Sequence, residues 1–339
     1  MGCNKESEIL VFHKQGSVFE DVVREQLNLL EGPITVDAAA RVTELDCSDF
    51  YFLPEDIDTL LKFCNLELLA IETGEEDLSF LKIFRNLKNL GLFYAGHEVD
   101  CRVFANLPKL EDLLISGGDI SSMNITHTDA LSCLHNLKEL TFHEFGTVDL
   151  AFLEKMSQLK LFCCSYSNQV ENIESIRNLT ELQHLELVDP GEADWTFLAN
   201  LKQLESLEIT YTDPRDVYYY MNFNQIPSLT HLKEFSIGGH ILADFAFLKK
   251  MPWLEELACW DARKITGIES IGELVNLRRL HLHGFSVSNL DFLDTLPDKL
   301  DLSLSFGEVK TEPNLGRLKR FSRLSIGKIQ VTDTGFQIQ

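Results

Sequence analysis

Leu277-Arg-Arg-Leu280-His-Leu282 is one copy of a short apolar phrase, Leu-x-x-Leu-x-Leu, that recurs along this chain of 339 residues. Two further clear copies are Leu87-Lys-Asn-Leu90-Gly-Leu92 and Leu182-Gln-His-Leu185-Glu-Leu187. We take the second apolar residue of each copy as its marker. The thirteen markers lie 21 to 28 residues apart, at Leu45, Leu69, Leu90, Leu113, Leu140, Phe162, Leu185, Leu207, Phe235, Leu257, Leu280, Leu302 and Leu324. A repeating period of this length is the signature of a solenoid.

Each repeat combines a short strand with a helical turn. The phrase x-Leu-x-Leu-x has a period of two, which buries one face of a strand and leaves the other in water. A second apolar run follows with a step of three, as in Leu150-Ala-Phe-Leu153-Glu-Lys-Met156-Ser-Gln-Leu159. This step suits a short helical or 3-10 segment. Burying the roughly five or six inward side chains of one repeat stabilises it by about 1.5–3 kcal/mol each. This gain does not clearly exceed the entropic cost of ordering the backbone, about 1–2 kcal/mol per residue, so only the stacked array of repeats is stable.

The predicted fold is an α/β solenoid curved as a horseshoe, with a parallel sheet on its concave side and short helical or 3-10 turns on its convex side. The repeats resemble those of the leucine-rich repeat family, in its short class of about 22 residues. Phe19 to Leu27, then Gly32-Pro33-Ile34-Thr35 and Val42-Thr-Glu-Leu45, resemble the helical cap of bacterial internalin-like proteins. This resemblance implies a binding module whose concave sheet contacts a protein partner.

The turns depart from the family pattern at one position. The resemblance implies an Asn five residues after each marker, whose side chain bonds backbone groups of the buried turn. None of these positions holds Asn; they are Phe50, Gly74, Ala95, Gly118, Phe145, Ser167, Pro190, Thr212, His240, Ala262, Phe285, Gly307 and Ile329. We therefore expect the turns to satisfy their backbone through water or through turn geometry.

The chain is predicted to run without a linker. Residues 1–17 form a loose lead-in, residues 18–41 a helical cap, residues 42–328 about thirteen repeats, and residues 329–339 a short closing segment. An apolar stripe from Phe19 to Leu30 predicts the cap helix, which Gly32-Pro33 ends. Two repeats carry insertions, within residues 116–130 and 211–226. Such insertions lie on one face of a solenoid, often the binding face.

The charge of the chain restricts its partners. The formal net charge is −23 at pH 7, and a field of this sign disfavours nucleic acid and anionic lipid surfaces. The charge keeps an elongated protein soluble, and it also favours a protein partner that carries a basic patch. No run of eighteen apolar residues is present, so we expect no transmembrane segment. We expect a monomer.

The eight cysteines show neither the spacing of a zinc site nor a framework of pairs. Cys47, Cys164 and Cys259 occupy inward strand positions and are predicted to be small core residues. Thiols in this number favour a reducing compartment, so we expect a cytoplasmic location. The alternative rests on Gly2-Cys3, which resembles the start of a mature bacterial lipoprotein. It implies a lipid anchor at Cys3 if an upstream signal segment has been removed.

The concave face is built from the residues one before, one after and three after each marker, since alternate residues of a strand point to one side. Many of them are acidic, including Glu44, Asp46, Glu72, Asp112, Glu139, Glu186, Glu208, Glu234 and Glu256. Phe93, His143 and Val188 are large residues scattered on the same face.

Towards the C-terminal end this face carries Trp260, Arg279, His281 and His283. An exposed Trp beside an Arg is a frequent binding hot spot, although Trp260 is equally compatible with a core position in its turn. The two His residues predict a pH-sensitive basic patch, or a metal site if a third ligand joins them; the simplest alternative is a solvated polar strand. We predict partner binding here, extended to Phe93 and His143.

An aromatic segment in the second insertion is the other candidate surface. It contains Tyr218, Tyr219, Tyr220 and Phe223. Tyr gives contact area at low entropic cost, which suits recognition. Alternatively, these rings cover the insertion's own apolar surface.

Enzyme signatures were sought and none was found. The chain has no Gly-rich phosphate loop, no H-E-x-x-H and no G-x-S-x-G. Face carboxylates without a pocket do not form a catalytic pair. The sequence therefore predicts a non-enzymatic protein-binding module with no cofactor or metal; the alternative is a bacterial surface lipoprotein that displays the repeats for adhesion or ligand binding.

Overall fold

The structure is a computed structural model of the whole chain. It describes residues 8–117, 123–166, 169–191, 193–212, 219–221, 226, 228–239, 241–262, 264–284, 286–287, 289–305, 320–321, 323–326, 329–332 and 335–338. The chain divides into two compact units, Met1–Asn172 and Ile173–Gln339. Cys3, the anchor of the alternative lipoprotein prediction, lies outside the described residues.

A short helical cap opens the first unit. Helix α1 spans Val18–Leu27 and helix α2 spans Val36–Ala39. Ser17 and Thr35 precede these helices, and each hydroxyl accepts a backbone N–H of the first turn at 3.2 Å. Serine and threonine favour this position because their oxygens satisfy N–H groups that the helix leaves without a partner.

Helix α1 ends earlier than the apolar stripe predicts. Asn28 adopts the left-handed conformation, with a φ of 54°, and its N–H donates back to the Glu25 carbonyl at 3.0 Å. A left-handed residue of this kind terminates a helix. Leu30, the last residue of the predicted stripe, is consequently outside the helix and 97% exposed.

Part of the predicted lead-in packs against this cap. The Leu10 N–H donates to the Ile34 carbonyl at 2.7 Å, and Leu10 and Phe12 are both buried. The Phe12 ring lies 5.2 Å from the Phe19 ring in an edge-on arrangement, centroid to centroid. Residues 8–12 therefore contribute apolar surface to the first unit.

The first unit contains parallel strands with their helical turns behind them. Helix α3 spans Pro54–Leu60. The strands, numbered in chain order, are β1 Glu44–Phe52, β2 Leu68–Thr73, β3 Asn89–Tyr94, β4 Glu98–Asp100, β5 Asp112–Gly117, β6 Asn124–Thr126, β7 Glu139–His143, β8 Thr147–Asp149, β9 Leu161–Ser165 and β10 Gln169–Glu171. Parallel pairing runs from β1 to β2, β3, β5, β7 and β9. Separate short ladders pair β4 with β6 and β8 with β10.

The second unit repeats this plan. Its strands are β11 His184–Val188, β12 Ser206–Tyr211, β13 Tyr219–Met221, β14 Glu234–Gly239, β15 Ile241–Asp244, β16 Glu256–Trp260, β17 Lys264–Thr266, β18 Arg279–His283, β19 Asp301–Ser305, β20 Arg323–Ile326, β21 Ile329–Thr332 and β22 Gly335–Ile338. Parallel pairing runs from β11 to β12, β14, β16, β18, β19 and β20. A second ladder joins β13, β15 and β17, and β21 and β22 form an antiparallel hairpin.

The markers form the core of both units. In each described pair of neighbouring repeats a marker pairs in register with the next marker, as Leu257 does with Leu280 and Leu280 with Leu302. Every marker whose side chain is described, from Leu45 to Leu302, is at most 2% exposed. Cys47, Cys164 and Cys259 are buried at the next inward position, as predicted. Burial raises the pKa of the Cys47 thiol to about 12.

Short 3-10 helices follow the strands. They span Leu78–Ile83, Cys101–Asn106, Thr128–Cys133, Ala151–Lys155, Ile173–Asn178, Trp195–Asn200, Phe245–Lys250, Ile268–Glu273 and Asp291–Thr295. At the start of five of these helices lies an Asp, always thirteen residues before the next marker. The Asp carboxylate accepts a hydrogen bond from the backbone N–H two residues later, at 2.8–3.1 Å. These residues are Asp77, Asp100, Asp149, Asp194 and Asp244. This regularly spaced aspartate is a sequence signal that the apolar pattern did not reveal.

Turn geometry replaces the missing Asn after the strand. Four residues past the marker, the backbone is left-handed at Glu144, Tyr166, Asp189, Gly239, Asp261 and Gly284. The N–H of Asp189 donates to the Thr210 carbonyl at 2.8 Å, and that of Asp261 to the His283 carbonyl at 2.9 Å. The turn thus bonds its backbone to the neighbouring repeat directly. Gly239 admits no side chain, because a Cβ there would lie 1.7 Å from the Tyr211 carbonyl oxygen.

An asparagine ladder exists on the opposite side of the strand. Asn65, Asn136 and Asn276 each lie four residues before a marker. The side-chain amide of Asn65 donates to the Ala40 carbonyl of the helical cap at 2.8 Å. Those of Asn136 and Asn276 donate to carbonyls of the preceding repeat, Pro108 at 2.8 Å and Pro252 at 3.1 Å. In these three repeats an asparagine side chain therefore bonds the backbone before the strand, whereas the family pattern places such an asparagine after it.

We predict that Asp194→Ala lowers the free energy of unfolding by about 1 kcal/mol, the usual cost of losing a capping side chain. Asp194 is exposed, and its carboxylate accepts the Thr196 N–H at 3.1 Å. Urea unfolding followed by circular dichroism measures the change. Asp194→Asn keeps the acceptor and is the control; equal destabilisation by both variants would contradict a capping role.

Candidate functional site

The solvent face of the sheet, which we call the open face, consists of the residues one before, one after and three after each marker. Strand β18 shows the alternation: Leu280 and Leu282 are buried, Arg279 is exposed, and His281 and His283 are half-buried. Most predicted face residues follow this pattern. Val188 does not, since it is buried at 4% exposure, and the prediction that it is presented on the face is wrong.

Trp260 covers a glycine on the adjacent strand. Gly238 and Trp260 pair in register. Three atoms of the indole five-membered ring lie 2.2–2.5 Å from the place where a Gly238 Cβ would be, so the ring lies directly on that backbone. Trp260 is half-buried, so the indole keeps a solvent-accessible surface. The absence of a side chain at position 238 is what gives the indole its seat.

Arg279 begins strand β18, at the opposite end from His283, which is the register partner of Trp260. It pairs in register with Glu256, and its guanidinium forms an ion pair with that carboxylate. The Arg279 side chain is still 51% exposed, so it remains accessible to a partner. An exposed pair of this kind contributes little to stability, typically about 0–1 kcal/mol.

His281 and His283 lie next to each other on β18. Their rings are stacked, with centroids 6.4 Å apart and an interplanar angle of 17°. The Ser303 hydroxyl lies 3.1 Å from His283 Nε2. Burial, and then the neighbouring His281, lower the pKa of His283 below its ordinary 6.5, while Asp261 acts in the opposite direction.

The structure offers these two histidines no metal site. Among the described residues, no group of three or more His, Cys, Asp or Glu side chains is placed to hold a metal ion.

Acidic side chains occupy the open face of the same unit. Glu186 and Glu208 pair in register on β11 and β12. Burial, and then repulsion from Glu186, raise the pKa of Glu208. A cation placed near these two carboxylates would relieve that repulsion. This part of the face therefore suits a positively charged group.

The charges at the strand starts are already paired. Two residues before the markers, acid and base alternate between neighbouring repeats: Glu67 with Lys88 and Glu111 with Lys138 in the first unit, and Glu205 with Lys233 and Glu255 with Arg278 in the second. The apolar pattern does not reveal this alternation, although the spacing of the charged residues shows it. Each of these ion pairs has no net charge, so the acidic residues of the open face carry the local negative charge.

Phe93 and His143, the other predicted face residues, belong to the first unit. Phe93 is half-buried, and its ring lies beside Gly91, 3.6 Å from the place where a Cβ would be. His143 is also half-buried and bonds the Ser165 hydroxyl through Nδ1 at 2.9 Å. Both lie on the open face, but His143 is directed towards β9.

The aromatic insertion belongs to a different ladder. Tyr218 and Phe223 lie outside the described residues. Tyr219 and Tyr220 form part of β13, which pairs with Ile241 and Leu242 of β15 rather than with the strands of the open face. The structure therefore does not bring this segment into the row that holds Trp260.

Solved structures of other proteins share this repeat fold. An internalin of Listeria monocytogenes superposes with a TM-score of 0.51 at 20% identity, covering 78% of this chain and 87% of that one. A leucine-rich repeat protein of Leptospira interrogans gives a TM-score of 0.59 at 18% identity, covering 86% of each chain. This chain has the leucine-rich repeat fold.

A third similar structure is internalin C2 of Listeria monocytogenes, with a TM-score of 0.51, 18% identity, and coverage of 65% of this chain and 92% of that one. The likeness confirms the predicted internalin-like repeat solenoid. No family model matches the sequence, and no curated protein matches it. Among the described residues, no helix is long and apolar enough to cross a bilayer.

The lowered pKa of His283 predicts a stability change with pH. An unfolded chain takes up a proton on this imidazole near pH 6.5, whereas the folded chain does so only at lower pH. The unfolded state therefore binds more protons in that window, so this residue's contribution to stability falls as pH drops through it. We expect His283→Gln to flatten the dependence of the urea midpoint on pH between 5.5 and 7.5.

The control for this experiment is His231→Gln, at an exposed position outside the open face. Equal slopes for wild type and His283→Gln would contradict the predicted role of His283.

Proposed function

We propose that this chain is a non-enzymatic module that binds a protein partner through the open face of its second unit. The observation that carries the proposal is the position of Trp260 against Gly238, in register with His283, which stacks on His281. Arg279 is exposed at the start of the same strand β18. Aromatic and Arg side chains of this kind supply most of the free energy at protein interfaces. Strands hold them in place, so little ordering cost is paid when a partner binds.

The proposed partner carries a basic patch. Glu186 and Glu208 face each other on the same unit, and the net charge of the chain is −23. Repulsion between the two carboxylates favours the approach of a cationic side chain, and the whole field accelerates the encounter. A cationic group placed on the indole of Trp260 would gain a further cation–π attraction.

Phe93 on the first unit and the segment Tyr218–Phe223 are proposed as additional contacts. Phe93 supports this because its ring is accessible on an open face. The Tyr segment supports it only through its composition. Both are secondary to the patch around Trp260.

The face is tested with a photo-crosslinker. Incorporation of p-benzoylphenylalanine in place of His281 puts the reactive group within the patch. Position 275 is the matched control, because Val275 belongs to the same repeat, lies between the 3-10 helix and β18, and is 66% exposed. We expect covalent adducts with one partner in native lysate from position 281 only. Adducts from both positions, or from 275 alone, would contradict the assigned face.

Trp260→Ala is expected to weaken binding of the captured partner by about 30-fold, equivalent to about 2 kcal/mol for the loss of an aromatic hot spot. Calorimetric titration of the purified pair measures this change. Val275→Ala is the control and should bind as wild type does. Circular dichroism and a urea midpoint confirm that Trp260→Ala is folded; a folded variant with unchanged affinity would refute the central role of Trp260.

A further inference from the structure

Three reactive side chains meet on the open face of the first unit. His143 lies on β7, and Cys163 and Ser165 lie on β9, which pairs with it. The Ser165 hydroxyl oxygen is 2.9 Å from His143 Nδ1, and Cys163 Sγ is 3.9 Å from His143 Nε2. Cys163 Sγ and Ser165 Oγ are 3.8 Å apart. One imidazole therefore bridges a thiol and a hydroxyl.

This geometry combines a nucleophile, a base and a group that orients the base. When the imidazole donates its Nδ1–H to the Ser165 oxygen, the lone pair of Nε2 faces the thiol of Cys163. Transfer of the thiol proton to Nε2 then gives a thiolate next to an imidazolium, the arrangement that makes a cysteine reactive. Glu139 is the other titratable side chain of β7 on this face, four residues from His143.

Three other buried thiols lie in a different environment. Cys47, Cys101 and Cys259 are at most 1% exposed. Burial raises the pKa of each of these thiols, and nearby carboxylates raise it further. Such cysteines are inert core residues. Cys163 differs because it occupies an open-face position of β9, although only 5% exposed, and its sulfur lies 3.9 Å from His143 Nε2.

We propose that Cys163 is a reactive thiol site that exchanges with low-molecular-weight disulfides. The Cys163 sulfur attacks one sulfur of the disulfide, a new S–S bond forms, and the original S–S bond breaks. The thiol proton, held by His143, passes to the departing sulfur, which leaves as a free thiol. One disulfide is consumed and one mixed disulfide is formed, so the exchange needs no further oxidant.

Burial restricts the reagent to small molecules. Cys163 is 5% exposed and Ser165 is fully buried. A compact disulfide or alkylating agent needs access to one sulfur atom only, whereas a protein disulfide would need a larger exposed surface around it. The site therefore takes small electrophiles and excludes macromolecular ones.

Iodoacetamide tests the activation of the thiol. The full-length protein is alkylated between pH 5.5 and 9, and fragment-ion mass spectrometry separates modification at Cys163 from that at the adjacent Cys164. Cys64, which is exposed, is the internal reference. We expect the rate at Cys163 to reach half its maximum below pH 8.5, the ordinary pKa of a thiol, and at a lower pH than the rate at Cys64.

His143→Gln keeps much of the side-chain volume and removes the base. In this variant the pH dependence of the alkylation rate at Cys163 should become the same as that at Cys64. Ser165→Ala should shift the Cys163 profile by an intermediate amount. Treatment with oxidised glutathione should add one glutathione at Cys163 in wild type and about fivefold less in His143→Gln at pH 6.5. Either an unmodified Cys163 or a profile that His143→Gln leaves unchanged would overturn the proposal.

Discussion

The structure depends on the contact between each buried marker and the marker of the neighbouring repeat. Leu257, Leu280 and Leu302 pair in register and are almost fully excluded from water. A single repeat has no other apolar surface against which to bury such a leucine, so its strand is stable only with neighbours on both sides. This requirement fixes the parallel register, and the register in turn fixes which side chains reach the open face.

Polar backbone groups of the turns are hydrogen-bonded either to nearby side chains or to the neighbouring repeat. An aspartate such as Asp194 or Asp244 caps each of several 3-10 helices, and a left-handed residue such as Asp189 or Asp261 bonds the next repeat through its N–H. These bonds replace the asparagine that similar repeats place after the strand. Backbone polar groups that are buried without a partner are costly, so each turn must solve this problem in some form.

The open face is free to carry function because it contributes little to the core. The open face carries different side chains in the two units of the protein. In the second unit an indole on Gly238 lies in register with His283, which stacks on His281, and Arg279 begins the same strand; this composition suits a protein surface. In the first unit His143 joins Cys163 and Ser165, a composition that suits covalent chemistry with a small molecule. Both arrangements join side chains of neighbouring strands about twenty residues apart in sequence.

The sequence by itself determined the repeat, the strand of each repeat, the buried markers and the residues of the open face. It could do so because alternation and period are local properties that any stack of these repeats must obey. It misplaced the end of helix α1 and the exposure of Val188, since a left-handed Asn28 and the packing around position 188 override an apolar pattern.

Only the tertiary structure decided which face residues touch. The seat of Trp260 requires Gly238 on the next strand, and the bridge from His143 to Cys163 requires the register of β7 with β9. Such contacts depend on rotamers and on strand neighbours that lie twenty or more residues away in sequence. The physical reason is that a period fixes the direction in which a side chain points, whereas its partner is fixed by packing between repeats.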